Sequence, residues 1–216
     1  MDHSYQIERI THASPKSHFS QLALLHQDEI KQGFLSSLGP KFLQRLYQSL
    51  SCSPHAFIFI AIREGNILGF ICGSTNTRKV YRDFFVTSGL RTMFTLFPKL
   101  VTRNRIQRVA ETLLYPFQNR GPDLPSSEIL NFCVDKNMQR IGIGKQLFER
   151  LTAEFCDRQV DCIRIVTGAT QVSAQRFYES VSADKYTELE IHSGQQSFIY
   201  TYQIPNKGQL FSARAA

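Results

Sequence analysis

Residues 128–150 read "EILNFCVDKNMQRIGIGKQLFER". Seven β-forming residues, Glu128 to Val134, run into a polar turn. Two glycines, Gly142 and Gly144, follow one residue apart, and a helical pattern then continues to about Arg158. At a helix start several N–H groups have no intrahelical partner, and they point along the positive end of the helix dipole. Such a terminus holds phosphate. Gly142 and Gly144 carry no side chain to keep a pyrophosphate from those amides, while Arg140 and Lys145 add positive charge. Two common phosphate loops fail on spacing. A Walker loop needs glycine where Gln139 stands and Ser or Thr where Gln146 stands, and a dinucleotide fingerprint needs glycine at Leu147. What remains is Q-x-x-G-x-G, Gln139-Arg140-Ile141-Gly142-Ile143-Gly144, between a strand and a helix.

Working outward, residues 5–11 suit a strand, and 17–49 hold two helical stretches separated by "GFLSSLGP". Phe42, Leu43, Leu46, Tyr47 and Leu50 recur at three- and four-residue spacing, the stripe of an amphipathic helix. "AFIFIAIREGNILGFICGS" (56–74) reads as a hairpin turning at Glu64, Gly65 and Asn66. Downstream of the opening stretch come a strand ("CIRIVTG", 162–168), a helix ("QVSAQRFYESV", 171–181) and a last hairpin turning near Ser193 and Gly194. This order predicts a mixed α/β (α+β) fold, with a partly antiparallel, partly parallel sheet flanked by helices. A single domain is expected over 1–207, with 208–216 as a mobile tail.

Composition narrows the class. Apolar residues make up 42% of the 216, ordinary for a globular chain, and no run approaches the roughly 18 apolar residues of a membrane span. The N-terminus lacks the basic start and apolar centre of a secretory signal. A cytoplasmic chain is expected. Five cysteines, an odd number without C-x-x-C, point to free thiols, and six histidines without ligand spacing leave no metal site to expect.

The hexapeptide, the helix "SAQRFYE" (173–179) and the element order together resemble the GNAT superfamily of acyl-coenzyme A dependent N-acyltransferases. That family's signature is [QR]-x-x-G-x-[GA], with A-x-x-[FL]-Y on a downstream helix. The resemblance implies acetyl-coenzyme A as donor, its pyrophosphate held by Gln139, Arg140, Ile141, Gly142, Ile143, Gly144 and Lys145. It further implies that Phe132, Cys133 and Val134 pair through their backbone with the pantetheine arm and polarise the thioester. Gln171 stands where the family often has a cofactor-contacting asparagine, and Ser182-Ala183 replace its usual "GF".

Transfer to an amine needs a proton acceptor. Glu128 lies eleven positions before Gln139, the offset of the catalytic glutamate in histone-type members, and is the candidate base. The alternative is a strand-edge carboxylate, solvated or paired with a basic residue. Tyr178 matches the tyrosine that commonly assists thiolate departure.

Residues 76–120 hold nine Lys and Arg against two acidic residues, a net of +7 that equals the whole chain's. Apolar spacing such as Leu90, Met93, Phe94 and Phe97 predicts an inserted segment of amphipathic helices broken near Gly89 and Pro98. Three roles stay open for it: a solvated helical extension, an acceptor site for an anionic amine such as a nucleotide-linked amino sugar, and attachment to an anionic membrane surface, placing the chain at the inner membrane. No nucleic-acid motif accompanies the charge. The expected activity is acetyl transfer to the primary amine of a small molecule, by direct attack in a ternary complex. The alternatives are a coenzyme A-binding sensor or membrane adaptor, and a protein N-acetyltransferase. Homodimers, common in the family, are a further expectation.

Overall fold

The apolar run at 56–62 forms a strand buried on both faces, and its alternation divides the core in two. Ala56, Ile58 and Ile60 join one cluster with Phe19, Leu22, Leu43 and Tyr47; Phe57, Phe59 and Ala61 join the other with Leu147, Leu151 and Phe155. Period-2 side-chain placement explains the split. The sheet is therefore the middle of three layers.

The computed structural model describes residues 4–31, 34–84, 86, 124–192 and 195–206. Its elements are β1 (Gln6–Ile10), α1 (Lys16–Glu29), α2 (Phe34–Ser37), α3 (Pro40–Cys52), β2 (Ala56–Arg63), β3 (Asn66–Ser74), α4 (Thr77–Phe84), β4 (Glu128–Val134), a 3-10 turn (Lys136–Met138), α5 (Ile143–Asp157), β5 (Cys162–Gly168), α6 (Val172–Ser180), β6 (Asp184–His192) and β7 (Gln195–Gln203). The strand order is β1-β2-β3-β4-β5-β7-β6, with β4–β5 as its parallel pair. The expected mixed sheet is thus present.

Local chemistry accounts for the boundaries. In the β2–β3 turn Glu64 and Gly65 take φ of 50° and 78°, the two left-handed residues that match a tight hairpin to strand twist. Helix α3 starts at Pro40, behind Gly39 at φ 88°, because proline fits the first helical position, where no N–H is needed. Its predicted stripe is inward: Phe42, Leu43, Tyr47 and Leu50 are buried, and Leu46 packs partly buried against them. The separator "GFLSSLGP" contains the short helix α2, with Leu38 buried beside it. All five cysteines are free.

Of the basic segment 76–120, the described part is α4 with Asn76 and Val86 beside it, and in α4 Thr77, Val80 and Phe84 are buried. Residues 85 and 87–120 lie outside the described residues, as do the turn at 193–194 and the tail 208–216.

Helix α5 sits close to β3 at Gly73. A Cβ there would stand 2.8 Å from the side chains of Leu151 and Phe57 and 3.0 Å from Phe155. Gly73→Ala is therefore expected to destabilise the fold by about 1–3 kcal/mol through overpacking, seen as a lower midpoint in urea unfolding.

Candidate active site

Two residue pairs join β4 to β5, Glu128 with Arg164 and Ile129 with Ile165. Past them β4 stays paired with β3 as far as Val134, and β5 stays paired with β7 as far as Gly168. The two strands lose their shared ladder and open a slot inside the sheet. A bulge marks the parting: Cys72 opposes Asn131 while Gly73 opposes Ile129, so Leu130 is an extra residue that bends β4.

The slot continues into a cleft of about 890 Å³. One wall is β4 from Ile129 to Val134, the other is Val166, Thr167 and one side of α6, and Gln139, Arg140, Gly142, Gly144 and Lys145 close one end. Phe132, Cys133 and Val134, expected from the sequence to meet an extended ligand arm, lie on this wall.

The closing turn is built as an amide cradle. Arg140 and Gly142 take φ of 64° and 93°, and the Gln139 side-chain amide donates to the Val134 carbonyl at 3.0 Å, tying the turn to the strand end. The first backbone bond of α5 runs from the Gln146 N–H to the Gly142 carbonyl at 3.1 Å. The amides of Ile143, Gly144 and Lys145 are left without intrahelical acceptors, as an anion at a helix start requires. The two isoleucine side chains turn elsewhere, Ile143 buried in the core and Ile141 exposed. Their share in the cradle is through the backbone.

On the opposite wall Tyr178 is buried and lines the cleft, with its ring against Phe177 and Tyr200. Burial pushes its phenol well above the usual range, so it stays a neutral donor. Phe177 packs edge-on to Phe132 and Phe148 at 5.3 and 5.6 Å between centroids, bracing α6 against β4 and α5. Gln171 lines the cleft too, but its Oε1 accepts from Thr167 Oγ1 at 2.9 Å and the Gly168 N–H at 3.2 Å. Its carbonyl thus fastens the end of β5.

Glu128 requires a correction. The expected proton acceptor is withdrawn from the cleft: it is buried, and its Oε2 receives Arg164 Nε at 2.9 Å, Arg164 Nη2 at 2.6 Å and Thr77 Oγ1 at 3.0 Å. Paired in this way, and not among the residues that line the cleft, Glu128 is not placed to meet an acceptor amine. The cationic partner shown comes from β5, because parallel pairing sets Arg164 directly beside Glu128.

Two charged groups in the cleft escaped the sequence reading. Arg176 lines it from α6, on the same helical face as Ser173 and Ser180, a spacing legible in the sequence. Glu29 enters from the end of α1, where its Oε1 accepts the Lys136 N–H at 3.3 Å. Nothing local to α1 signals this; the contact spans 107 positions. Among the described residues no three His, Cys, Asp or Glu side chains gather as a metal site.

Comparison with known proteins agrees with this geometry. A profile described as the acetyltransferase (GNAT) domain matches residues 101–181. Similar folds include a GNAT-family protein from Desulfovibrio desulfuricans, with TM-score 0.58 and 13% identity over 94% of this chain and 100% of that one. The ribosomal-protein-S18-alanine N-acetyltransferase of Escherichia coli has TM-score 0.57 and 14% identity over 95% and 97%. Arabidopsis thaliana NAA60, solved in complex with acetyl-CoA, has TM-score 0.57 and 15% identity over 93% and 99%. No curated protein matches the chain in sequence.

The two glycines make separable predictions. Gly142→Ala forces a side chain into left-handed backbone, expected to cost about 1–2 kcal/mol and to weaken coenzyme A in calorimetric titration. Gly144→Ala leaves both near wild type, since its methyl would meet Phe132, Phe177 and Val134 at the ordinary distances of 3.5, 3.8 and 3.9 Å.

Glu128→Gln removes one charge of a pair whose side chains are 8% and 7% exposed. Taking the carboxylate charge from beside the buried Arg164 is expected to destabilise the protein by about 3–5 kcal/mol, measured as a fall in Tm. A variant with unchanged Tm would show the pair to be dispensable.

Proposed function

We propose that the chain is a GNAT-superfamily enzyme that moves the acetyl group of acetyl-coenzyme A to a primary amine by direct attack, a reading supported by the matched acetyltransferase (GNAT) domain at 101–181 and by the shared fold. The observation that carries the reading is the slot between β4 and β5 ending on the bare amides of α5. A strand edge left open inside a sheet accepts an extended arm through main-chain hydrogen bonds, and the cradle at its end suits a pyrophosphate. The donor is an extended arm ending in a pyrophosphate, so it fits both parts.

Within this reading the backbone of Phe132, Cys133 and Val134 holds the donor arm. The same backbone amides polarise the thioester carbonyl in this reading, and fixed donors there favour the transition state over the ground state. Tyr178, neutral because it is buried, gives a proton or hydrogen bond to the sulfur as the C–S bond breaks. Arg140, Lys145 and Arg176 draw the phosphates to one end.

For the acceptor, the favoured class is a small anionic amine such as an amino sugar or nucleotide-linked amino sugar. The support is the +7 net charge concentrated in 76–120, since guanidinium and ammonium groups suit phosphate. A protein N-terminus is the second reading, motivated by the fold it shares with an enzyme named for acetylating ribosomal protein S18.

Both readings meet one assay: thiol release from acetyl-coenzyme A with glucosamine 6-phosphate, a nucleotide-linked amino sugar, spermidine and an alanine-terminated peptide. Turnover on the sugars but not the peptide supports the first acceptor class. The reverse result supports the second, and no turnover on any acceptor despite coenzyme A binding sinks the enzymatic reading. In the same assay Tyr178→Phe is expected to lower kcat by about 10²-fold or more, with donor affinity within about twofold of wild type. An unchanged kcat would reduce Tyr178 to a packing residue.

A further inference from the structure

Withdrawing Glu128 leaves acetyl transfer without its expected proton acceptor, and the cleft offers another. Among the described residues that line it, Glu29 is the one carboxylate, and no histidine is present. Glu29 is half-buried at the last position of α1, held toward β4 by the Lys136 N–H.

The slot has two faces, and the two ends of the reaction separate across them. Phe132 and Val134 pack with the cluster under α5 and α6, the side of the amide cradle. Leu130 and Cys133 pack with the cluster under α1, and Glu29 lies near enough to Cys133 for its charge, with that of Asp135, to help burial push the thiol up. A donor threaded between the strands from the cradle side leaves the α1 side as the approach for an amine. An ammonium arriving there meets a carboxylate.

Resting on the acetyl-transfer reading, we propose that Glu29 receives the acceptor ammonium and takes its proton, directly or through one water. The ammonium gives one proton to the carboxylate, which passes it to solvent. The freed lone pair attacks the thioester carbon, the C–N bond forms and the C–S bond breaks with its electron pair on sulfur. The nitrogen then loses its second proton while sulfur gains one, leaving an amide and a neutral thiol. Glu29 acts in a mixed field: Asp135 adjoins the Lys136 N–H that holds it, Arg140, Lys145 and Arg176 share the cleft, and His26 on its own helix is buried against Tyr47, its imidazole lowered to about 4 by burial. None of these replaces it, because the cations have no lone pair to offer at neutral pH, His26 is enclosed, and the Asp135 side chain caps the 3-10 turn through the Asn137 N–H at 2.8 Å.

The test uses the full chain, acetyl-coenzyme A and, as probes, glucosamine 6-phosphate and an alanine-terminated peptide. E29Q keeps the shape and the oxygen that accepts the Lys136 N–H, so its Tm and its coenzyme A affinity are expected to stay near wild type. Its kcat/KM at pH 7 is expected to fall by about 10²–10⁴-fold. That deficit should shrink as pH rises toward the acceptor amine's own pKa, because solvent then removes the proton. E29D, which keeps a carboxylate, should recover part of the loss.

Wild-type turnover with E29Q equal to wild type at every pH overturns the inference and leaves the activity standing. A pH-independent loss that E29D does not relieve also overturns it, as the mark of a tether between α1 and the β4 turn. Absence of wild-type turnover on both probes removes the activity reading and this inference together.

Discussion

The divergence of β4 from β5 is the constraint on which the site depends. Strands inside a sheet normally pair along their length, because each unpaired backbone group buried away from water is costly. Here the shared ladder ends after two residue pairs, while the outer partners β3 and β7 keep each strand fixed. The Leu130 bulge turns β4 aside, and the slot is held open by the sheet's own hydrogen bonds. Such an edge is a template for an extended ligand, which replaces the lost ladder.

At the closed end of the slot the Glu128–Arg164 pair acts as a rivet. Both side chains are buried, and the charge of each is offset by the other. Thr77 at the start of α4 adds a third hydrogen bond to the same oxygen, so α4 is docked onto the point where the strands part. At the open end, the Gln139 side chain ties the strand terminus to the turn, and the Phe132–Phe177 contact braces the two walls. Apex, walls and cradle are thus held by three different kinds of interaction.

Two glutamates illustrate how far pattern reading reaches. Glu128 has the right offset from Gln139 and the wrong surroundings, because a neighbouring strand 36 positions away brings Arg164 against it. Glu29 has no local signature and enters the cleft through a contact across 107 positions. Arg176 is intermediate: its helical face could be read from Ser173 and Ser180, but which face meets the cleft depends on how α6 packs. In each case the deciding fact is a long-range neighbour.

What the sequence determined by itself was everything carried by local periodicity and backbone preference. The apolar hairpin 56–74 with its turn at Glu64-Gly65-Asn66 and the stripe Phe42-Leu43-Leu46-Tyr47-Leu50 specify strands and a helix through side-chain direction and steric freedom. The spacing Gln139-x-x-Gly142-x-Gly144 likewise announces a bare helix start, with Gly142 supplying the left-handed backbone that turns those amides outward. The tertiary structure alone decided which carboxylate is enclosed and which faces the cleft. Charge environment depends on the groups that folding brings within a few ångströms, and strand pairing and helix docking choose those groups from far along the chain.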